Sequence, residues 1–139
     1  MGSKVKIAII DDWSNSLSTL SCFSKLEGLD VTIFSTKTSE MLTRIDQLYA
    51  FNAVVLIRER SLITRRLLEG LPNLQLISQF GGCAHIDLDA CSEHGVLVCS
   101  GKRSDAPSYS AAEHTWALIM SSMRDIPAQM KSLQYGNWQ

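Results

Sequence analysis

Long hydrophobic runs are missing from this sequence. Its longest apolar stretches, such as AVVLI at residues 53–57, are far shorter than the roughly 20 residues of a membrane-spanning helix. Neither sign of charge is in excess, because 13 Lys and Arg residues stand against 14 Asp and Glu residues, a net charge of -1. We therefore expect neither nucleic acid nor a membrane surface as a partner. No signal-peptide cleavage pattern follows the opening MGSKVKIAII, which favours a cytoplasmic location.

Cysteine is scarce, and its placement argues against a disulfide framework. The four cysteines are Cys22, Cys83, Cys91 and Cys99. All lie in helix-like or strand-like segments, so we expect reduced and mostly buried thiols. The pairs Cys83-x-His85 and Cys91-x-x-His94 contain zinc-type ligands, but their spacing is not that of a recognised zinc motif, and we expect no metal site. No third residue that would orient a Cys–His nucleophile pair is apparent.

Apolar residues are plentiful enough for a folded domain. They make up 45% of the 139 residues, against 19% charged residues, which is typical of a compact globular protein with a core. Short runs rich in Val, Ile and Leu, without polar alternation, are typical of strands buried on both faces of a parallel sheet. We expect such strands over residues 5–10, 31–34, 53–57, 74–78 and 96–99.

The segments between these runs read as helices. An apolar residue recurs every three positions over residues 17–26, with Gly28 after them, and this pattern predicts one helix. Ser39, Thr64 and Asp87 each precede an apolar segment and are candidate N-caps for three more helices. Alternation of strand and helix predicts a flavodoxin-like α/β fold, with a five-stranded, doubly wound parallel sheet and a crevice at the carboxyl ends of the strands.

A different segment follows the predicted sheet. Residues 108–123 predict a long helix that is apolar around much of its circumference, and such a helix should be covered by another surface. Ser108 and Ser110, with Glu113, are candidates for a capping box at its start. We therefore expect a first domain over residues 1–103, and an additional C-terminal helix and tail over residues 104–139.

Several separated motifs occur in an order that matches a known family. They are KIAIIDDW at residues 6–13, VVLIRERSLITRRLLEGLPNL at 54–74, HIDLDAC at 85–91, HGVLV at 94–98 and SAAEHTWALIM at 110–120. Together they resemble the N-terminal half of the D-isomer-specific 2-hydroxyacid dehydrogenases. The resemblance implies the substrate-binding domain of an oxidoreductase that uses NAD or NADP to transfer a hydride between nicotinamide and a 2-hydroxy or 2-oxo acid.

The resemblance also implies which functions are absent. In the family, the GxGxxG fingerprint, the substrate-gripping arginine and the acid–histidine relay lie in a nucleotide-binding domain, and no GxGxxG occurs in this sequence. We expect no catalytic and no cofactor-binding residue in this chain, which alone would be inactive and would bind neither NAD nor NADP. The family's counterpart of the 108–123 helix bridges the two domains and joins subunits. A homodimer through this helix, or its contact with a nucleotide-binding domain, is therefore expected.

Four residues are candidates for binding the substrate. By the resemblance, backbone N–H groups of Gly81, Gly82 and Cys83 hold the substrate carboxylate, and Arg58 at the end of the third strand attracts an acidic group. From the residues alone, a plain tight turn is the better reading of the Gly pair, and only the resemblance makes the two readings equal. Arg58 is equally a solvated charge paired with Glu59. The turn is one residue shorter than the usual family pattern.

Two other classes of protein remain as alternatives. One is a non-catalytic binding or oligomerisation module. The other is a phospho-receiver domain, for which Asp11 and Asp12 would be the acidic pair after the first strand. A receiver also needs a phosphorylatable aspartate at the end of its third strand, where this chain has Arg58. We therefore expect Asp11 and Asp12 to start the following helix or to line the crevice.

Overall fold

The computed structural model describes residues 4–101 and 107–138. The chain divides into two compact units, residues 1–103 and 104–139. The first unit contains a five-stranded sheet, and each pair of neighbouring strands is parallel. Its strands are β1 (Lys6–Ile10), β2 (Asp30–Phe34), β3 (Ala53–Leu56), β4 (Leu76–Phe80) and β5 (Leu97–Gly101).

The strand order is β2-β1-β3-β4-β5. This is the order of the flavodoxin-like fold, and it confirms the predicted fold class. The fourth strand begins two residues later than predicted, because the Leu74 N–H bonds back to the Leu71 carbonyl in the preceding turn, at 3.1 Å. Leu74 is apolar because it is buried in the core, although it lies outside the strand.

Three helices follow strands of the sheet: α1 (Met41–Leu48), α2 (Arg65–Glu69) and α3 (Leu88–Glu93). Two predicted caps are confirmed. The Thr64 hydroxyl accepts the Leu67 N–H at 3.4 Å, and the Asp87 carboxylate accepts the Ala90 N–H at 2.9 Å. The predicted cap at Ser39 is wrong, because Glu40 precedes α1 and no side chain caps a backbone N–H there.

The helix predicted over residues 17–26 is also wrong in type. The segment forms two 3-10 helices, Leu17–Thr19 and Ser21–Leu26, with the extended residue Leu20 between them (φ −74°, ψ 134°). A spacing of three is the period of a 3-10 helix, whereas an α-helix repeats every 3.6 residues. Neither helix buries a residue, so no apolar face required a longer α-helix.

The core of the first unit consists mainly of apolar side chains from β1, β3 and β4, from α1, α2 and α3, and from the loops beside them. Its buried members are Ala8, Ile10, Leu48, Val54, Leu56, Ile63, Leu67, Leu68, Leu71, Leu74, Ile77, Ile86, Ala90, Cys91 and Val96. Three buried polar residues, Asp11, Asp12 and Gln79, lie where β1 and β4 reach their carboxyl ends. Polar groups are costly to bury without partners, so this edge of the sheet is where a site is expected.

The second unit contains α4 (Ser110–Met123) and α5 (Ile126–Gln134), joined at Asp125 in a left-handed conformation (φ 51°). The long helix is confirmed, although it starts at Ser110. The predicted capping box is wrong, because Tyr109 precedes the helix and no side chain caps it. Sequence reasoning missed α5 altogether. None of the described helices combines the length and the apolar character needed to cross a membrane.

Candidate functional site

Three loops meet at the carboxyl edge of the sheet, because β1, β3 and β4 are neighbours in it. They are the aspartate turn after β1 (residues 11–17), the arginine loop after β3 (residues 57–62) and the glycine turn after β4 (residues 81–84). In open parallel α/β sheets, ligands bind in the crevice outside this edge. All four predicted site residues lie on the arginine loop or the glycine turn.

The glycine turn exposes backbone N–H groups that have no backbone partner among the described residues. Gly81 adopts φ 111°, which only glycine takes up without strain. The Ile86 N–H bonds to the Cys83 carbonyl at 2.9 Å, but the N–H groups of Gly82, Cys83 and Ala84 have no backbone acceptor among the described residues. Successive N–H groups of this kind form a concave surface that accepts an anion.

Gln79, which sequence reasoning missed, fixes the orientation of this turn. The side chain is 3% exposed, and its Nε2 donates to the carbonyl oxygens of Phe80 (3.2 Å) and Gly82 (3.4 Å). In a planar trans peptide the N–H points opposite to the C=O. Because the Phe80 and Gly82 carbonyls face Gln79, the N–H groups of Gly81 and Cys83 point away from it. A large polar residue near the end of a buried strand was the available signal.

The arginine loop runs beside the glycine turn. Arg58 is exposed and has a left-handed backbone (φ 57°). The ion pair with Glu59 considered above is not among those found in the described residues. Glu59 instead approaches the turn, since a Cβ added to Gly81 or Gly82 would lie 3.8 or 3.9 Å from its Oε1. The structure thus places Glu59, the residue after Arg58, close to the two glycines.

A buried charge network holds the arginine loop to β1. The Asp11 carboxylate receives Arg44 Nη2 at 3.1 Å and the Ser61 hydroxyl at 2.6 Å. Arg44 Nη2 also donates to the Thr38 carbonyl at 3.0 Å, and Asp11 and Arg44 are only 2% and 5% exposed. Sequence reasoning missed Arg44, although its place one helical turn before the buried Leu48 indicated an inward position.

Arg60 belongs to the same network and faces β1. Its Nη1 donates to the Asp11 carbonyl at 2.5 Å, and its guanidinium lies 4.2 Å from the centre of the Trp13 ring, in cation–π contact. Beside it, a cavity of about 270 Å³ is lined by Lys37, Arg44 and Arg60, among other residues of the loops after β2 and β3. Arg58 and the glycine turn do not line this cavity.

In the aspartate turn, the side chain of Asp12 occupies the backbone N–H groups. The Asp12 carboxylate accepts the N–H groups of Ser16 (3.2 Å) and Leu17 (3.0 Å). A dinucleotide bound at the first turn of such a sheet needs free N–H groups at the start of an α-helix. Here the N–H groups are occupied and a 3-10 helix follows, so the residues of this turn do not fit NAD. The commitment of both aspartates to protein partners also argues against a phospho-receiver.

The cysteines and histidines form no reactive cluster in the part of the chain that is described. No group of three or more His, Cys, Asp or Glu side chains there has the geometry of a metal site. All four cysteines are free thiols; Cys91 is buried, Cys83 half-buried, and Cys22 and Cys99 are exposed, against the prediction that most are buried. Burial, together with the nearby negative charge of Asp87, raises the pKa of the Cys91 thiol, so this side chain is unreactive at neutral pH.

The fold and the glycine turn define a class: a flavodoxin-like α/β domain with a glycine turn at the carboxyl edge of its sheet. A family model described as "D-isomer specific 2-hydroxyacid dehydrogenase, catalytic domain" matches residues 7–131. The chain belongs to this family, which confirms the resemblance inferred from the motifs.

Individual relatives are larger than this chain. A phosphoglycerate oxidoreductase from Vibrio cholerae is 43% identical, with a TM-score of 0.78 over 97% of this chain and 42% of its own. D-3-phosphoglycerate dehydrogenase from Bacillus subtilis is 34% identical over 67% of this chain and 17% of its own length. D-lactate dehydrogenase from Aquifex aeolicus, solved with NAD and lactic acid, is 26% identical, with a TM-score of 0.56 over 96% of this chain and 39% of its own. This chain therefore spans less than half of each.

Proposed function

We propose that this chain is the substrate-binding part of an NAD- or NADP-dependent D-2-hydroxyacid dehydrogenase, the class that transfers a hydride between nicotinamide and a 2-hydroxy or 2-oxo acid. The observation that carries the proposal is the glycine turn, where Gln79 directs N–H groups outward and no backbone acceptor among the described residues takes those of residues 82–84. Such a turn binds a carboxylate without a charged side chain.

The roles of the site residues follow from this geometry. Gly81, Gly82 and Cys83 hold the substrate carboxylate through their backbone N–H groups, and the absence of a Cβ on both glycines leaves room for its approach. Arg58 attracts the acid towards the turn, because an exposed guanidinium acts over a distance without a fixed contact. Both roles position the substrate, and neither is a proton-transfer or hydride-transfer role.

The rest of the reaction requires a nucleotide-binding part that this chain does not contain. The sequence has no GxGxxG, and the aspartate turn is occupied by the Asp12 carboxylate. NAD or NADP would therefore bind elsewhere in the parent enzyme, and the chain alone would be inactive. Within this proposal, residues 1–103 are the substrate domain and residues 104–139 lead towards the nucleotide-binding part.

The exposed apolar side chains of α4 support a contact of this helix with another surface. Trp116 is 64% exposed and Met123 is 78% exposed, which is unusual for large apolar residues on one helix. We propose that the helix joins two copies of the protein or packs on the nucleotide-binding part. The four free thiols support a cytoplasmic location, since reducing compartments keep cysteines unpaired.

Ligand-observed NMR tests the proposed function. The chain would be titrated with pyruvate, hydroxypyruvate, glycerate and 3-phosphoglycerate, and with NADH as the control. Phosphoglycerate belongs in the panel because two of the relatives carry it in their names. We expect saturation transfer to at least one acid and none to NADH. A folded chain that binds no acid would contradict the proposal.

The second candidate is an oligomerisation module without substrate binding, favoured by the exposed side chains of α4. Sedimentation equilibrium distinguishes the two. A dimer that binds no acid supports the module, and a chain that binds acid supports the dehydrogenase domain in either oligomeric state.

A further inference from the structure

One charged side chain lies beside the glycine turn. If Gly81 or Gly82 carried a Cβ, Glu59 Oε1 would lie 3.8 or 3.9 Å from it, and no other described atom beyond the adjoining residues of the turn would come within 4 Å. Glu59 is exposed and takes part in neither of the two ion pairs found in the described residues. A free carboxylate therefore borders the place where a substrate carboxylate would bind.

The neighbouring cations do not cancel this charge by contact. Arg60 is directed to the Asp11 carbonyl and to the Trp13 ring, on the β1 side of the loop. Arg58 is exposed and makes no ion pair with Glu59. The turn itself contributes backbone dipoles and no formal charge. Among the described side chains, the charged group within 4 Å of the Cβ positions of the two glycines is thus the carboxylate of Glu59.

We propose that Glu59 is a specificity-determining residue that disfavours acids with more than one negative charge, so that the preferred substrates are 2-oxo or 2-hydroxy monocarboxylates with an uncharged remainder. The inference rests on the proposed function of the glycine turn. Glu59 repels the carboxylate that all substrates share. It also repels each further anionic group of a substrate, so the total repulsion rises with the charge of the acid. Discrimination between acids arises from this added repulsion, as in other sites that reject a ligand by like charge.

The test compares Glu59→Gln with Glu27→Gln in the same chain. Both substitutions remove one negative charge from an exposed side chain, but Glu27 precedes β2 and lies at the opposite, amino edge of the sheet. Dissociation constants of hydroxypyruvate and 3-phosphoglycerate would be measured by NMR titration. A like charge about 6 Å away in water weakens binding by a factor of about three, so Glu59→Gln should tighten hydroxypyruvate about threefold.

The comparison of the two acids decides whether Glu59 acts through its charge, because 3-phosphoglycerate carries additional negative charge on its phosphate. We expect Glu59→Gln to tighten 3-phosphoglycerate by a larger factor than hydroxypyruvate, with an advantage that shrinks at high salt, and Glu27→Gln to change neither. Equal gains for both acids, or no gain for either, would overturn the inference and leave the proposed function intact. Failure of both acids to bind wild type and variant alike would overturn the proposed function, and this inference with it.

Discussion

The aspartate turn and the glycine turn both follow central strands of one parallel sheet. Their backbone N–H groups are occupied in the first turn and point outward in the second. In the aspartate turn, Asp12 fills the anion position itself by accepting the N–H groups of Ser16 and Leu17. In the glycine turn, Gln79 engages only carbonyl oxygens, so the N–H groups point outward. The difference teaches that the same place in a fold is either closed or open to an anion, depending on which backbone group its buried side chain engages.

Removing the charge of Asp11, in the aspartate turn, should cause the largest loss of stability. Asp11→Asn keeps the shape of the side chain and tolerates the left-handed backbone (φ 64°), but it leaves the buried Arg44 without a counter-charge. We expect the free energy of unfolding to fall by about 3–5 kcal/mol, measured by urea denaturation. Glu93→Gln, which breaks the exposed pair with Arg65, is the control and should barely move the midpoint. Equal losses would contradict the network's role.

Adding a methyl group to the open turn should affect both stability and binding. Gly81→Ala forces a Cβ onto a residue with φ 111°, and Gly28→Ala does the same at φ 89° before β2, far along the chain from the site. Each should lose about 1–2 kcal/mol of stability, measured by urea denaturation. Only Gly81→Ala should also weaken acid binding. An equal loss of binding in both variants would show that the turn is not the site.

Removing the hydrogen bonds beneath the glycine turn should destabilise the protein by a similar amount. Gln79→Met keeps the volume but removes the hydrogen bonds to the Phe80 and Gly82 carbonyls. We expect a loss of about 1–3 kcal/mol, since these carbonyls lose a partner, together with weaker acid binding. Urea denaturation and NMR titration measure the two quantities. Unchanged affinity in a destabilised variant would mean that Gln79 supports the fold and does not orient the turn.

The mildest prediction uses the thiol in the open turn as a reporter. Cys83 is half-buried at the site, Cys22 is exposed in a 3-10 helix, and Cys91 is buried. Alkylation by iodoacetamide, followed by peptide mass spectrometry, should slow at Cys83 when an acid is bound and stay constant at Cys22. Cys91 should not react in the folded chain, because burial raises its pKa. Protection of Cys22 instead of Cys83 would place the ligand elsewhere.

Local patterns predicted much of the fold. Five short runs rich in Val, Ile and Leu indicated strands buried on both faces, and the caps at Thr64 and Asp87 were visible because an N-cap needs only one polar residue before an apolar segment. The 3-10 helices of residues 17–26 were misread because a spacing of three resembles an amphipathic α-helix over one or two turns. The helix α5 was missed although Ile126, Met130 and Leu133 have the i, i+4, i+7 spacing of an amphipathic helix.

The site was predictable only in part. Arg58 and the glycines have a local signal, because a charge and a Gly pair follow buried strands. The family resemblance then identified them as candidate site residues. The network of Asp11, Arg44 and Ser61 joins residues up to 50 positions apart, and no local pattern pairs them. The role of Gln79 depends on which backbone atoms it faces, and this is decided by the folded turn.

Amide chemical shifts of the isotope-labelled chain, followed during a titration with hydroxypyruvate, test the contrast between the two turns most directly. We predict saturable shifts at the N–H groups of Gly81, Gly82 and Cys83, because the substrate carboxylate would bind there. The N–H groups of Ser16 and Leu17 should stay in place, since Asp12 already holds them. Shifts at Ser16 and Leu17, or saturable binding without movement of the glycine turn, would contradict the account.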